Sequence, residues 1–162
     1  MGHPRFRKAR NFKYTKRTSG DITKSSVTNW SDFLTDSDLT LAAEVGDVLA
    51  YELNGLADGT NVTLLLDVVT RVSGAAVNSF GGGGAGSGNT GDGVTAWLLA
   101  SDTDRGLSGT AWYTVQAADI AAGGLVTCRL RCRTGSGSRV VASSATDPFF
   151  MFMENIGPAS PH

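Results

Sequence analysis

Histidine occurs only at His3 and His162, so the body of the chain has none. A serine or cysteine nucleophile there lacks an imidazole base. Zinc-hydrolase patterns need paired histidines and are absent. Two acidic pairs, Asp36/Asp38 and Asp102/Asp104, have the spacing to flank a glycosidic bond or to hold calcium. Neither sits in a complete calcium loop with a closing Glu, and turn-forming aspartates at strand ends are expected instead. G-x-G-x-x-G is matched at Gly81/Gly83/Gly86 and at Gly86/Gly88/Gly91. The dinucleotide fingerprint needs a helix directly after the loop, within a βαβ unit. Here a strand is expected to follow, and eight of the thirteen residues from Gly81 to Gly93 are glycine. The match therefore reflects composition. These patterns predict no catalytic residues, no metal and no cofactor.

Cys128 and Cys132 are the two cysteines. On one strand, four residues separate them by roughly 13 Å at about 3.3 Å per residue. A disulfide needs Cα atoms within roughly 7 Å. They are expected to be small apolar residues on one buried face. No further Cys or internal His completes a metal site around them.

The remaining chemistry is that of binding. Residues 1–24 hold eight bases (Arg5, Arg7, Lys8, Arg10, Lys13, Lys16, Arg17 and Lys24) and one acid, Asp21, a net of +7. The other 138 residues hold six bases and fourteen acids, a net of −8. A basic segment joined to an acidic body seeks negative surface, on a second copy, another protein or nucleic acid. Phe6, Phe12 and Tyr14 are spaced among the bases. A purely solvating tail gains nothing from exposing three rings, so the segment is expected to be an extended docking arm. Its binding residues are Arg5, Phe6, Arg7, Lys8, Arg10, Phe12, Lys13, Tyr14, Lys16 and Arg17. A second candidate is the ladder of Arg129, Arg131 and Arg133 on one strand face. It is either a solvated face paired with acids or an inter-subunit salt-bridge stripe.

The elements that must position these residues are strands. Alternation or β-branched richness marks Asp21–Val27, Asp38–Ala42, Val48–Leu53, Asn61–Val72, Ala76–Phe80, Val94–Ala100, Gly109–Gln116, Leu125–Arg133, Ser138–Ser143 and Pro148–Met153. Glu44–Asp47 and Asn54-Gly55 read as turns. In Leu125–Arg133, Val126, Cys128, Leu130 and Cys132 take one face and the arginines the other. Asn61–Val72 is apolar on both faces. It needs cover on both, from the sandwich on one side and from a neighbouring subunit or a loop on the other. The longest helical candidate, Gln116–Ala122, is about two turns long.

The chain has 162 residues, 18% of them charged, and 21 glycines. That suits one domain of strands and tight turns plus an extension. The expected fold is all-β: an antiparallel β-sandwich, jelly-roll-like, with an extended basic N-terminal arm. The arm is placed at 1–18 and the sandwich domain at 19–162. No signal peptide and no run of 18 apolar residues is visible, so synthesis in the cytoplasm without a membrane span is expected.

Several stretches carry a family likeness: Arg10-Asn11-Phe12-Lys13-Tyr14-Thr15-Lys16-Arg17 through Gly20-Asp21-Ile22-Thr23 to Asn29-Trp30, and Leu39-Thr40-Leu41-Ala42-Ala43-Glu44-Val45-Gly46-Asp47-Val48. Asp119-Ile120, Gly124-Leu125-Val126-Thr127-Cys128-Arg129-Leu130-Arg131 and Asn155-Ile156-Gly157-Pro158 continue it. Together they resemble small structural proteins of tailed bacteriophages, especially those of actinobacterial hosts. The resemblance spans most of the chain but is a style of sequence, with no diagnostic motif. It implies a β-sandwich virion protein, often trimeric, without catalytic residues.

The expected function is that of a non-enzymatic head decoration or cement protein, made in the host cytoplasm and located in the virion. Its partners are the major capsid protein or tail proteins. The alternatives are a minor tail protein or fibre-base module, and a carbohydrate-binding module for a host surface. A homotrimer is expected, because Asn61–Val72 needs cover. Nucleic acid is not expected as a partner, since the acidic body repels phosphates.

Overall fold

The computed structural model describes residues 11–25, 29–58, 64–82, 97–99, 105–134, 138–142, 146 and 148–159. The strands in chain order are β1 (Asn11–Arg17), β2 (Ile22–Ser25), β3 (Ser31–Asp32), β4 (Leu39–Ala42), β5 (Asp47–Asp58), β6 (Leu64–Val72) and β7 (Ala75–Ser79). They continue with β8 (Trp97–Leu99), β9 (Arg105–Thr114), β10 (Ile120–Ala121), β11 (Leu125–Thr134), β12 (Ser138–Ala142) and β13 (Phe149–Pro158). Every described strand pair is antiparallel.

Two sheets form. The front sheet runs β1-β13-β5-β12-β2, with β9 on the other side of β5. The back sheet runs β10-β11-β6-β7, with β3 and β4 on β11 and β8 on β6. The last strand lies beside the first, and connections such as β4 to β5 and β9 to β10 cross between the sheets. This is the expected antiparallel, jelly-roll-like sandwich. Period-2 alternation explains the core. Leu49, Tyr51, Leu53, Phe149, Met151 and Met153 point inward from the front, and Leu64, Leu66, Val68, Val126, Cys128, Leu130 and Cys132 from the back.

Three expectations change. Asn54-Gly55 is not a turn; both residues lie inside β5, opposite Ser108 and Leu107 of β9. A Cβ on Gly55 would stand 2.8 Å from Cδ2 of Phe149. The glycine is there so that a buried ring can approach the strand, and not to reverse the chain. Gln116–Ala122 holds a three-residue 3₁₀ turn, Ala117–Asp119, and then the short strand β10. Asn11–Arg17, expected within an extended arm, is strand β1 at an edge of the front sheet, paired with Phe149–Asn155 of β13. The Glu44–Asp47 turn is present: the Asp47 amide donates to the Glu44 carbonyl at 3.1 Å, and Gly46 takes a positive φ of 89°.

Candidate interaction surface

Strand alternation puts Phe12, Tyr14 and Lys16 on the outer face of the front sheet. Their cross-strand partners are Glu154, Phe152 and Phe150. Those in turn face Ala50, Glu52 and Asn54 of β5, which face Trp112, Thr110 and Ser108 of β9. The outer face is thus a four-strand lattice bordered by rings. Phe12 is 52% exposed, Tyr14 64% and Trp112 59%. These are the three exposed aromatic side chains among the described residues, and they share this one face. Phe12 stacks on Phe152 at 5.7 Å between centroids, and the Lys16 ammonium lies 5.3 Å from the Phe150 ring centroid. Between the rims runs a groove of about 220 Å³, lined by Glu52, Asn54, Ser108, Thr110, Phe150 and Phe152. That is below the roughly 300–1,000 Å³ of sites that enclose a small ligand. It suits an inserted side chain.

Of the expected arm residues, Phe12, Lys13, Tyr14, Lys16 and Arg17 lie on β1. Arg17 Nε is tied back to the Gly20 carbonyl at 2.9 Å. Arg5, Phe6, Arg7, Lys8 and Arg10 lie outside the described residues.

The outer face of the back sheet is built differently. Arg131 and Asp67 are directly opposite across β11 and β6 and form a buried pair, with Arg131 Nη2 to Asp67 Oδ2 at 2.7 Å and Nε to the same oxygen at 2.9 Å. Asp67 also accepts from Ser79 Oγ at 2.6 Å and from the Gly81 amide at 3.0 Å. Trp30 lies over the guanidinium, 4.6 Å from ring centroid to Cζ. Asp67 is 0% exposed and Val69 3%, so the outward face of β6 is covered at both within a single chain. At these two positions the cover that Asn61–Val72 called for comes from the chain itself.

Arg129, the next rung, grips Asp38 with two bonds of 2.5 and 2.7 Å and reaches Asp32 at 2.6 Å. The Asp38 hydrogen bond is the first cause of a raised Arg129 pKa. Asp38, half of one acidic pair, is thus an arginine partner. Arg133 faces Leu65. Arg129 and Arg131 pair with acids of their own chain.

A second buried polar knot ties the 3₁₀ turn to the back sheet. Asp119 accepts from Thr70 Oγ1 at 2.6 Å, Tyr113 OH at 2.6 Å, Asn78 Nδ2 at 2.8 Å and the Gln116 amide at 2.8 Å. Burial, and then the bond to Asp119, raises the Tyr113 pKa. Four donors converge on Asp119, which satisfies a buried carboxylate. Cys128 and Cys132 are free and buried on the core face of β11, as expected, and burial is the first cause of the upward shift of both thiols. Among the described residues, no three His, Cys, Asp or Glu side chains gather as a metal would need, and no helix is long and apolar enough to cross a membrane. The sequence signal for the outer face was present but incomplete. Phe12 and Tyr14 stand out among the bases, whereas the strand patterns around Trp112, Phe150 and Phe152 give no facing direction.

No protein-family model and no curated protein matches the chain. Solved structures of infectious bursal disease virus do share features with it. A chain of the Gx strain structure is 11% identical over 99% of this chain and 42% of its own length, with a TM-score of 0.43. A chain of the T13 viral particle is 13% identical over 92% of this chain and 36% of its own, at 0.28. A Gt strain chain is 11% identical over 92% and 37%, at 0.27. The chain spans less than half the length of these three, and likenesses at such TM-scores carry no weight for function.

Proposed function

We propose that the chain is a non-enzymatic structural protein of a virus particle, a head decoration protein of a tailed bacteriophage that docks through its basic N-terminal segment. The observation that carries this reading is the continuity between that segment and the sandwich. Arg5, Arg7, Lys8 and Arg10 lead directly into β1, an edge strand held to β13 over seven paired positions. Any force on the segment is therefore delivered to the sheet. The cations steer the acidic lattice into contact, and Phe6 supplies apolar anchorage. The sequence likeness to phage structural proteins supports the same reading. A minor tail protein is the second reading, since it needs the same surfaces and differs only in the partner.

Deleting residues 1–10 leaves β1 and the sandwich complete, so the variant is expected to fold. It should fail to co-sediment with particles that lack the protein, while the full chain binds in a salt-sensitive manner. Separated heads and tails distinguish the two readings. Full occupancy by the deletion variant contradicts docking through the segment.

A further inference from the structure

We propose that the edge of β1 takes an extended, acidic segment of a different protein as an added antiparallel strand. Among the described residues, β1 pairs with β13 on one side and with no strand on the other. An edge strand leaves a row of backbone N–H and C=O groups pointing away from its sheet, a template for further pairing. This edge is regular. Its register with β13 is unbroken over seven positions, and no proline interrupts Asn11–Arg17. Natural sheets close an edge with a proline, a bulge or charged side chains, above all lysine. Of these, β1 has the cations Lys13, Lys16 and Arg17. It also carries two rings that closure does not call for, Phe12 and Tyr14, both exposed.

Positive charge on an edge selects as well as excludes. β1 holds three cations and no acid, so it repels a basic strand and attracts an acidic one. In an added antiparallel strand, the residues opposite Phe12 and Tyr14 lie beside rings. Those opposite Lys13, Lys16 and Arg17 lie beside cations, with Cβ atoms about 5 Å apart. β-branched residues at the first set and acids at the second complement the edge. The backbone bonds supply affinity, and this pattern supplies specificity.

A second copy offers no such strand among those described. The acids of the described strands are Asp32 on β3, Asp47, Glu52 and Asp58 on β5, Asp67 on β6 and Glu154 on β13. β5, β6 and β13 are already paired on both sides, and Asp32 of the two-residue β3 is gripped by Arg129. β2, β4, β7 and β9, each paired on one side, carry no acid. The complementary strand therefore comes from another protein. Strand addition rests on β1 alone and is separate from docking through residues 1–10. Docking is read from particles, and strand addition from a peptide and the full chain.

The probe is the blocked peptide Glu-Glu-Thr-Val-Glu-Val, which sets its acids opposite Arg17, Lys16 and Lys13 and its valines opposite Tyr14 and Phe12. Titrated into the full chain, it should bind and slow amide exchange along residues 12–17. Replacing its central Thr-Val by Pro-Pro keeps the charge but removes the pairing, and should weaken binding about tenfold or more. Lys13→Glu with Lys16→Glu should weaken binding of the original peptide about tenfold. A peptide with lysine in place of each glutamate should then bind that variant better than it binds the wild type, which guards against a misfolded variant. The proposal is overturned by absence of binding at millimolar peptide, by equal binding of the proline peptide, or by protection that leaves β1 unchanged. Self-association through β1 that excludes the peptide makes the occupant a second copy and overturns the choice of partner.

Discussion

Arg131 and Asp67 face outward from the back sheet and are 4% and 0% exposed; Tyr14 and Trp112 face outward from the front sheet and are 64% and 59% exposed. Both faces present side chains a bare sheet cannot leave without consequence. The back sheet covers its charges with Trp30 and with partners from its own strands. The front sheet leaves its rings uncovered. An unpaired buried charge is costly enough that its partners must come from the same chain, already in place on folding. Exposed rings cost far less, so their cover can wait for another molecule. Position within the sandwich thus separates groups that complete the fold from groups available for assembly.

The largest expected effect lies on the covered face. Asp67→Ala leaves the Arg131 guanidinium buried without its carboxylate and should cost about 3–5 kcal/mol, read from urea denaturation. Replacing the pair together, Asp67→Leu with Arg131→Met, should recover most of that loss, because both charges leave the interior. At the rim of the same face the effect should be smaller. Asp32 and Asp38 are more than a third exposed, so Arg129→Ala should cost about 1 kcal/mol or less, and the difference should shrink as salt is raised. The smallest stability effect belongs to the uncovered face. Trp112→Asp should change the stability of the monomer by about 0.5 kcal/mol. A much larger loss would mean that this ring completes the fold, and the contrast between the faces would fail.

Much of the fold could be read from the residues because alternation is a local signal. Val126, Cys128, Leu130 and Cys132 announced the core face of β11, and the spacing of the cysteines excluded a disulfide. Other features depended on distant partners. Asn54-Gly55 has the composition of a turn, and only the ring of Phe149 arriving from a strand nearly a hundred residues later makes it part of β5. Asn11–Arg17 shows no sustained apolar period, because none of its residues is buried and its order comes from pairing with β13. The two-sided apolar pattern of β6 correctly demanded cover, but Trp30, which helps to supply it, comes from a segment with no sequence relation to β6. The rings of the outer face were legible one by one. Their convergence was not, because β1, β13 and β9 meet through β5 only in the folded sheet.

The most direct test of the contrast is amide hydrogen exchange on the full chain as the acidic peptide is added. Fragments covering β1 should exchange more slowly with the peptide present, as an added strand covers the edge of the front sheet. Fragments covering β6 and β11 should be equally protected throughout, because their cover comes from their own chain. Protection gained at β6 and β11, with none at β1, would contradict the account.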